Sequence, residues 1–398
     1  MNKTLLYPEV QQYISENIYT DTVALSLRKS PFEGIAMHEI TGQIDARKKS
    51  EKKLPSWFST PGIYYPSKLS IEQTSSEKTA GYKASLTGGD SLIDLTGGFG
   101  VDCRFFARQF NQVFHCEVNE ELSAIAAHNF RLLGVTNITT VPGNGIDYIR
   151  TSGKQFDWIY IDPSRRSDSK GKVFMLADCI PDVPFHLDML FTHADNILIK
   201  TSPILDISNG IRELCDVREI HIVAVNNEVK ELLWLLEKEY TGGCQIKTVN
   251  LNDPHTEKFN FRREAETGAH VSYSPPLNYL YEPNAAIMKS GGFRSLSEKT
   301  GLSKLHQHTH LYTSEDCFPD FPGRTFRILK IMDYNKKAIK KELGAGQANI
   351  TTRNFPESVA TIRKKFGIKD GGDRYVFFTT DRNDTKTVLI CAKSNVIL

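Results

Sequence analysis

Apolar and polar positions fall into a strand–helix rhythm from about residue 91 onward. Leu92, Ile93 and Leu95 form a short apolar run that stops at Thr96-Gly97-Gly98-Phe99-Gly100. Such a run predicts a buried strand that breaks into a glycine-rich turn and then opens a helix. Further strands are predicted at 113–117, 138–141, 156–161 and 196–199, with a helix over 120–133. Strands alternating with helices predict a doubly wound, mostly parallel α/β sheet, whose ligands bind beyond the carboxyl ends of the strands.

The flanks read differently. Residues 1 to about 70 are predicted helical, with a basic stretch at 40–53 that leads to Trp57 and Phe58. Basic residues beside aromatics suit nucleic acid, although Trp57 could equally anchor the helix on the core. Thr-Ser-Ser-Glu at 74–77 predicts a helix cap. Toward the other end, strands are predicted at 325–329, 374–380 and 386–392. Helices are predicted at 335–343 and 357–366, stopped by Gly344 and Gly367.

Candidate chemistry collects at the strand ends. Asp94 closes the first strand, and Glu117 closes the second, twenty-three residues later. An acid at about that distance from a glycine turn hydrogen-bonds ribose hydroxyls. The glycines lack the G-x-G-x-x-G spacing of dinucleotide sites. Asn144 follows the third strand and offers both a donor and an acceptor, or else is a plain turn residue. The fourth strand runs into Asp162-Pro163-Ser164-Arg165-Arg166. A carboxylate there can orient an amine, while the arginines can stack on a base or clamp phosphate. Lys200, after the fifth strand, could hold a phosphate, lower an acceptor's pKa, or form a structural ion pair.

Asp94-x-Thr96-Gly97-Gly98-Phe99-Gly100 resembles motif I of class I S-adenosylmethionine-dependent methyltransferases, with Thr96 in place of the first glycine. Asp162-Pro163 resembles the first half of the motif of enzymes that methylate base nitrogens, though no aromatic residue follows it. The resemblance implies S-adenosylmethionine over Asp94, Thr96, Gly97, Gly98, Phe99 and Gly100. Its ribose would lie on Glu117, its adenine near Asn144, and the reacting end near Asp162. Asp162, Pro163 and Arg165 are the catalytic candidates. An Asp-Pro-x-Arg run also resembles enzymes acting on pyrimidine carbon 5. Those need a cysteine after the next strand, and none stands in 196–203.

Charge divides the chain. The net charge is +2, yet residues 320–398 hold 16 Lys and Arg against 8 Asp and Glu. A basic end of this kind suits a polyanion. Gly344-Ala345-Gly346-Gln347-Ala348-Asn349-Ile350, with Arg353, Asn354 and Pro356, resembles the THUMP-like domain that follows the catalytic core in some bacterial methyltransferases. That resemblance implies RNA, either tRNA or rRNA, held by Arg165, Arg166, Lys200, Lys336, Lys337, Lys340 and Arg353. Gln43, Ile44, Arg47, Lys48, Lys53, Leu54, Pro55 and Trp57 match a segment of the same family.

The expected organisation is a helical region at 1–83, a Rossmann-like class I methyltransferase core at 84–272, a small α+β (ferredoxin-like) segment at 273–319, and a THUMP-like α+β domain at 320–398. With no apolar run near 18 residues, a membrane span is not expected, and seven cysteines without C-x-x-C spacing suit reduced thiols in a cytoplasm. His306, His308 and His310 alternate and could share one strand face, where three imidazoles could bind zinc, but no partner Cys or Asp spacing supports a metal. Two other classes stay open: a non-catalytic RNA-binding protein on a methyltransferase scaffold, and a nicotinamide-dependent oxidoreductase.

Overall fold

The computed structural model describes residues 1–165, 175–344 and 346–394. The chain forms two compact units, one of residues 1–218 and 231–241, the other of residues 219–230 and 242–398.

The strands begin with β1 (Gly89–Asp94), β2 (Phe110–Glu117), β3 (Ile138–Pro142) and β4 (Trp158–Ile161). A short hairpin of β5 (Ser164–Arg165) and β6 (Cys179–Ile180) follows, then β7 (Asn196–Thr201), β8 (Val217–Val225) and β9 (Glu228–Glu237). In the first unit the sheet order is β3-β2-β1-β4-β7-β9. The first five strands run parallel, and residues 232–237 of β9 pair antiparallel with β7. A parallel sheet is covered on both faces, so its central strands are apolar rather than alternating. All four residues of β4, Trp-Ile-Tyr-Ile, are buried accordingly. This is a doubly wound, mostly parallel α/β sheet.

The helical N-terminal segment is braced by specific pairs, within itself and against the turn and helix that follow β1. The helix Met37–Lys53 buries Ile40, Ile44 and Ala46. The Gln43 amide donates to the Tyr65 carbonyl at 2.7 Å and accepts from the Tyr65 N–H at 2.9 Å. Trp57 is 0% exposed, lies 6.2 Å from the Phe99 ring and carries the Arg104 guanidinium over its face at 4.9 Å. A fully covered indole cannot stack on a base, so Trp57 is the anchor and not a nucleic-acid contact.

In the second unit β8 pairs parallel with β10 (Gln245–Leu251), which pairs antiparallel with β11 (Thr256–Arg262). A seven-stranded sheet follows, from β12 (Tyr279–Pro283), β13 (Ser303–His306), β14 (Thr309–Ser314), β15 (Gly323–Asp333), β16 (Asn349–Arg353), β17 (Arg374–Thr380) and β18 (Lys386–Lys393). Its order is β13-β14-β12-β15-β18-β17-β16. Because β12 hydrogen-bonds to both β14 and β15, the stretch before residue 320 and the basic end share one sheet. The helices Lys336–Leu343 and Val359–Phe366 insert Ile339, Leu343, Ile362 and Phe366 into its core.

The three alternating histidines do not share a strand face. His306 ends β13, Gln307 and His308 form the turn, and His310 lies in β14. His306 Nδ1 accepts from the His308 N–H at 3.0 Å, and His310 stacks on Phe293 with ring centroids 3.5 Å apart. A tight antiparallel turn thus overrides the period-two pattern.

Candidate active site

The turn after β1 gathers the first unit's candidate residues. Gly98 (φ +56°) and Gly100 (φ +83°) occupy the left-handed region that glycine reaches without strain. A Cβ on Gly97 would lie 2.4 Å from the His115 ring, and one on Gly100 would lie 2.3 Å from Phe130. Those two glycines therefore answer to the protein's own packing. Gly98 is different: its Cβ would meet nothing closer than the Thr96 carbonyl at 3.8 Å, so the space above it is open.

Glu117 closes β2 under this turn. One carboxylate oxygen accepts the Gly98 N–H and the other the Asn119 N–H, both at 2.8 Å. Each oxygen keeps a further lone pair for a hydroxyl. Asn144 caps the helix Gly145–Ser152 by accepting from the Ile146 N–H at 2.9 Å, and among the described residues its amide NH₂ has no acceptor. Phe99 points away, with its ring buried between Trp57 and Tyr65.

Thr96, where the motif ordinarily has glycine, links two strand ends. Its hydroxyl donates to Asp94 Oδ1 at 3.2 Å and accepts the Asp162 N–H at 2.7 Å. A glycine could make neither bond. The threonine thereby holds the Asp162-Pro163 turn against the glycine turn. Asp162 Oδ2 is ion-paired with the Lys200 ammonium, whose side chain is 13% exposed against 37% for Asp162. Arg165 is exposed in β5, and Arg166 lies outside the described residues.

A buried ionic network lies alongside. Lys83 is 0% exposed and its Nζ donates to both Glu231 oxygens at 2.8 and 2.9 Å and to Ser75 Oγ at 3.1 Å. It also stands 3.3 Å from Asp102 Oδ1, while Asp102 Oδ2 accepts from Ser75 Oγ and Tyr160 OH, each at 2.8 Å. Burial pushes the Asp94 carboxyl up to about 7, against the hydrogen bonds from Thr96 and Cys103. Burial also tends to raise Asp102, but the Lys83 and then the Lys200 ammonium outweigh it and hold Asp102 below its ordinary value. For Lys200 burial works downward, and Asp162, Glu231 and Asp102 more than reverse it, so the ammonium is held above the ordinary lysine range. Three carboxylates, Asp102, Asp162 and Glu231, thus face two ammonium groups, and Asp94 adds a carboxyl that is part-protonated near neutral pH. The surplus acid suits a ligand that brings its own positive charge, as an adenosyl sulfonium does.

Sequence alone does not reveal Lys83, Ser75, Asp102, Tyr160 or Glu231 as site residues. The one available signal is Glu231, an acid placed directly before Leu-Leu-Trp-Leu-Leu. Near the carboxyl ends of β4 and β7, Ile180, Phe185 and Ile204 stand exposed, Phe185 at 79%.

A crystal structure of a candidate methyltransferase from Porphyromonas gingivalis W83 is similar to this chain over 99% of each, with 31% sequence identity and a TM-score of 0.89. The chain belongs to that methyltransferase family. Residues 279–322 match the model of a ferredoxin-like domain, and residues 323–393 match that of a THUMP domain-like family. The chain is also 28% identical over 102 residues to an uncharacterised RNA methyltransferase of Halalkalibacterium halodurans. That match covers 25% of this chain and 22% of that protein.

Within the THUMP-like region of this family member, some of the basic residues are engaged by acids and others are not. Glu282, buried, accepts from Arg324 Nε at 2.8 Å and from Arg353 Nη2 at 2.7 Å. Lys330, Arg363 and Lys365 pair with Glu342, Asp370 and Glu357. Among the described residues Lys336, Lys337, Lys340 and Lys341 have no such partner and stand exposed along one helix. Arg353 is thus a structural fork as much as a surface cation, whereas the four lysines are open. No helix of the described residues is long and apolar enough to cross a membrane.

Proposed function

We propose that this family member transfers the methyl group of S-adenosylmethionine to a base nitrogen in structured RNA, either tRNA or rRNA. The observation that carries the reading is Asp162, whose backbone N–H is tied through the Thr96 hydroxyl to an open glycine turn whose neighbouring strand ends in Glu117. When bound, S-adenosylmethionine supplies an electrophilic methyl on a cationic sulfur. Glu117 and the Gly98 turn grip the sugar, the surplus acid of the Asp94–Asp102–Glu231 group balances the charge, and the Asn144 amide lies toward the base. Asp162 accepts a hydrogen bond from the acceptor nitrogen and aims its lone pair, with the Pro163 turn fixing the carboxylate and Arg165 beside it for RNA. Positioning of this kind supplies much of the rate of an in-line displacement.

The open lysines at 336–341 fit an RNA backbone, and all seven cysteines are free, which suits action in the cytoplasm. The test is transfer of a tritiated methyl group into total RNA from a strain that lacks the gene. Incorporation with the wild-type chain and none with Asp162→Ala supports the reading. Absence of label with the wild type overturns it.

A further inference from the structure

The Asp162–Lys200 pair distinguishes two kinds of base nitrogen. Lys200 Nζ spends one hydrogen on Asp162 Oδ2, and an ammonium has two more. Among the described residues nothing donates to the other Asp162 oxygen. The pair therefore presents an acceptor and a cationic donor side by side, at the mouth of the site. This pair complements an N–H next to a carbonyl, the lactam edge that guanine and uracil share.

The sign of the electrostatics separates that edge from an exocyclic amine. A neutral amine attacks with its own lone pair, and a cation next to it withdraws electron density and weakens it. A lactam nitrogen becomes nucleophilic only as its N–H proton leaves, and the resulting charge lies largely on the neighbouring oxygen. A fixed ammonium at that oxygen stabilises the developing charge.

Resting on the RNA methyltransferase reading, we infer that the acceptor is a lactam ring nitrogen, N1 of guanine or N3 of uracil. Lys200 donates to the carbonyl oxygen and Asp162 takes the ring proton. The N–H bond breaks to give Asp162 its proton, the nitrogen pair forms the N–CH₃ bond, and the S–CH₃ bond breaks to leave a neutral thioether. The proton on Asp162 then passes to solvent.

Nucleoside mass spectrometry of RNA methylated by the full-length wild-type chain decides the matter. N1-methylguanosine or N3-methyluridine is expected, and the product itself tells the two bases apart. Label on an exocyclic amine, or on N1 of adenine, which bears no proton, overturns the inference while leaving the RNA methyltransferase reading intact. No label in RNA overturns both. Lys200→Met gives a second readout. Turnover at pH 7 is expected to fall about 10²-fold, as for loss of one oxyanion donor. It should then recover by about tenfold per pH unit as the lactam ionises by itself, with cofactor binding by calorimetry unchanged. A loss that is the same at every pH rules out the role given to Lys200.

Discussion

In the unit with the glycine turn, Lys83 and Lys200 are covered and each lies on a carboxylate, whereas in the other unit Lys336, Lys337, Lys340 and Lys341 stand in solvent without partners. Removing a charge from water costs several kcal/mol unless geometry returns it, so a buried pair is intolerant of displacement. An exposed lysine is screened by salt and attracts a polyanion from many orientations. The contrast separates two tasks: the first set fixes atoms to within a hydrogen bond, and the second set gathers a large anion without dictating its pose.

The sharpest way to break the comparison is at Asp162. Asp162→Ala is expected to lower methyl transfer by about 10³-fold or more, since both the aim of the acceptor and its proton acceptance are lost. Cofactor affinity by calorimetry should hold. Near-normal turnover would show that the covered pair has no part in chemistry.

Next in size is the stability of the covered network. Lys83→Met leaves Glu231 buried without its cation and withdraws the nearest charge from Asp102, a change of about 3–5 kcal/mol. Denaturant unfolding measures it directly. A loss under about 1 kcal/mol, the range of exposed pairs, would erase the distinction between the two units.

Asp94 adds a pH signature. Its carboxyl titrates at about 7 in the folded chain because it is buried, against about 3.9 unfolded. Between about pH 4 and 7 the folded state keeps a proton that the unfolded state has lost, so stability falls as pH rises through that window. Asp102, held low by Lys83, works in the opposite direction, losing stability as pH falls below the ordinary carboxylate range. The difference in Tm between wild type and Asp94→Asn isolates the first effect, with the wild type losing ground from pH 4.5 to 7. Parallel Tm profiles would show that Asp94 is ionised in the folded state.

Much of this arrangement is legible in the sequence, and the remainder is hidden for definite reasons. The order strand, glycine turn, acid, asparagine, Asp-Pro is local, and each step carries its own turn chemistry. The β1–β4 sheet and the placement of Asp94, Glu117, Asn144 and Asp162 follow from it. Lys83 and Glu231 are 148 residues apart, and no local pattern ties a lysine in the helix Glu77–Ala84 to an acid in β9. The histidine hairpin was concealed because Gln307-His308 contains none of the residues that mark tight turns. Phe99 looked like a ligand contact because it stands inside the motif, yet the helical segment before the sheet claims its ring. The basic end reads as one module by charge, but β12 binds it into a larger sheet, so removal of 320–398 would strip β12 of its β15 partner.

A smaller effect is expected at the rim of the covered site. Glu117→Ala removes acceptors from the Gly98 and Asn119 N–H groups as well as from a bound ribose. Hydrogen bonds to a charged group contribute about 1.5–3 kcal/mol, so S-adenosylmethionine should bind roughly 10- to 100-fold more weakly in calorimetry. An unchanged Kd would detach Glu117 from the ligand.

The smallest single-residue effects belong to the open lysines, and they sharpen the comparison best when measured against salt. Each lysine that neutralises a phosphate contributes about 0.9 to the slope of log K against log salt on duplex RNA, taking the duplex DNA value as a guide. Replacing Lys336, Lys337, Lys340 and Lys341 together by Ala leaves Ile339 and Leu343 in the core, so the helix keeps its seat. The slope should fall in proportion to the lysines that touch RNA, with only a modest loss of affinity per residue. Arg363 and Lys365 serve as the internal control, because Asp370 and Glu357 already engage them. Their replacement by Ala should move the slope less than the open four do. If the paired residues move it as much, charge count alone governs RNA binding, and partner-free exposure is not what sets the four lysines apart.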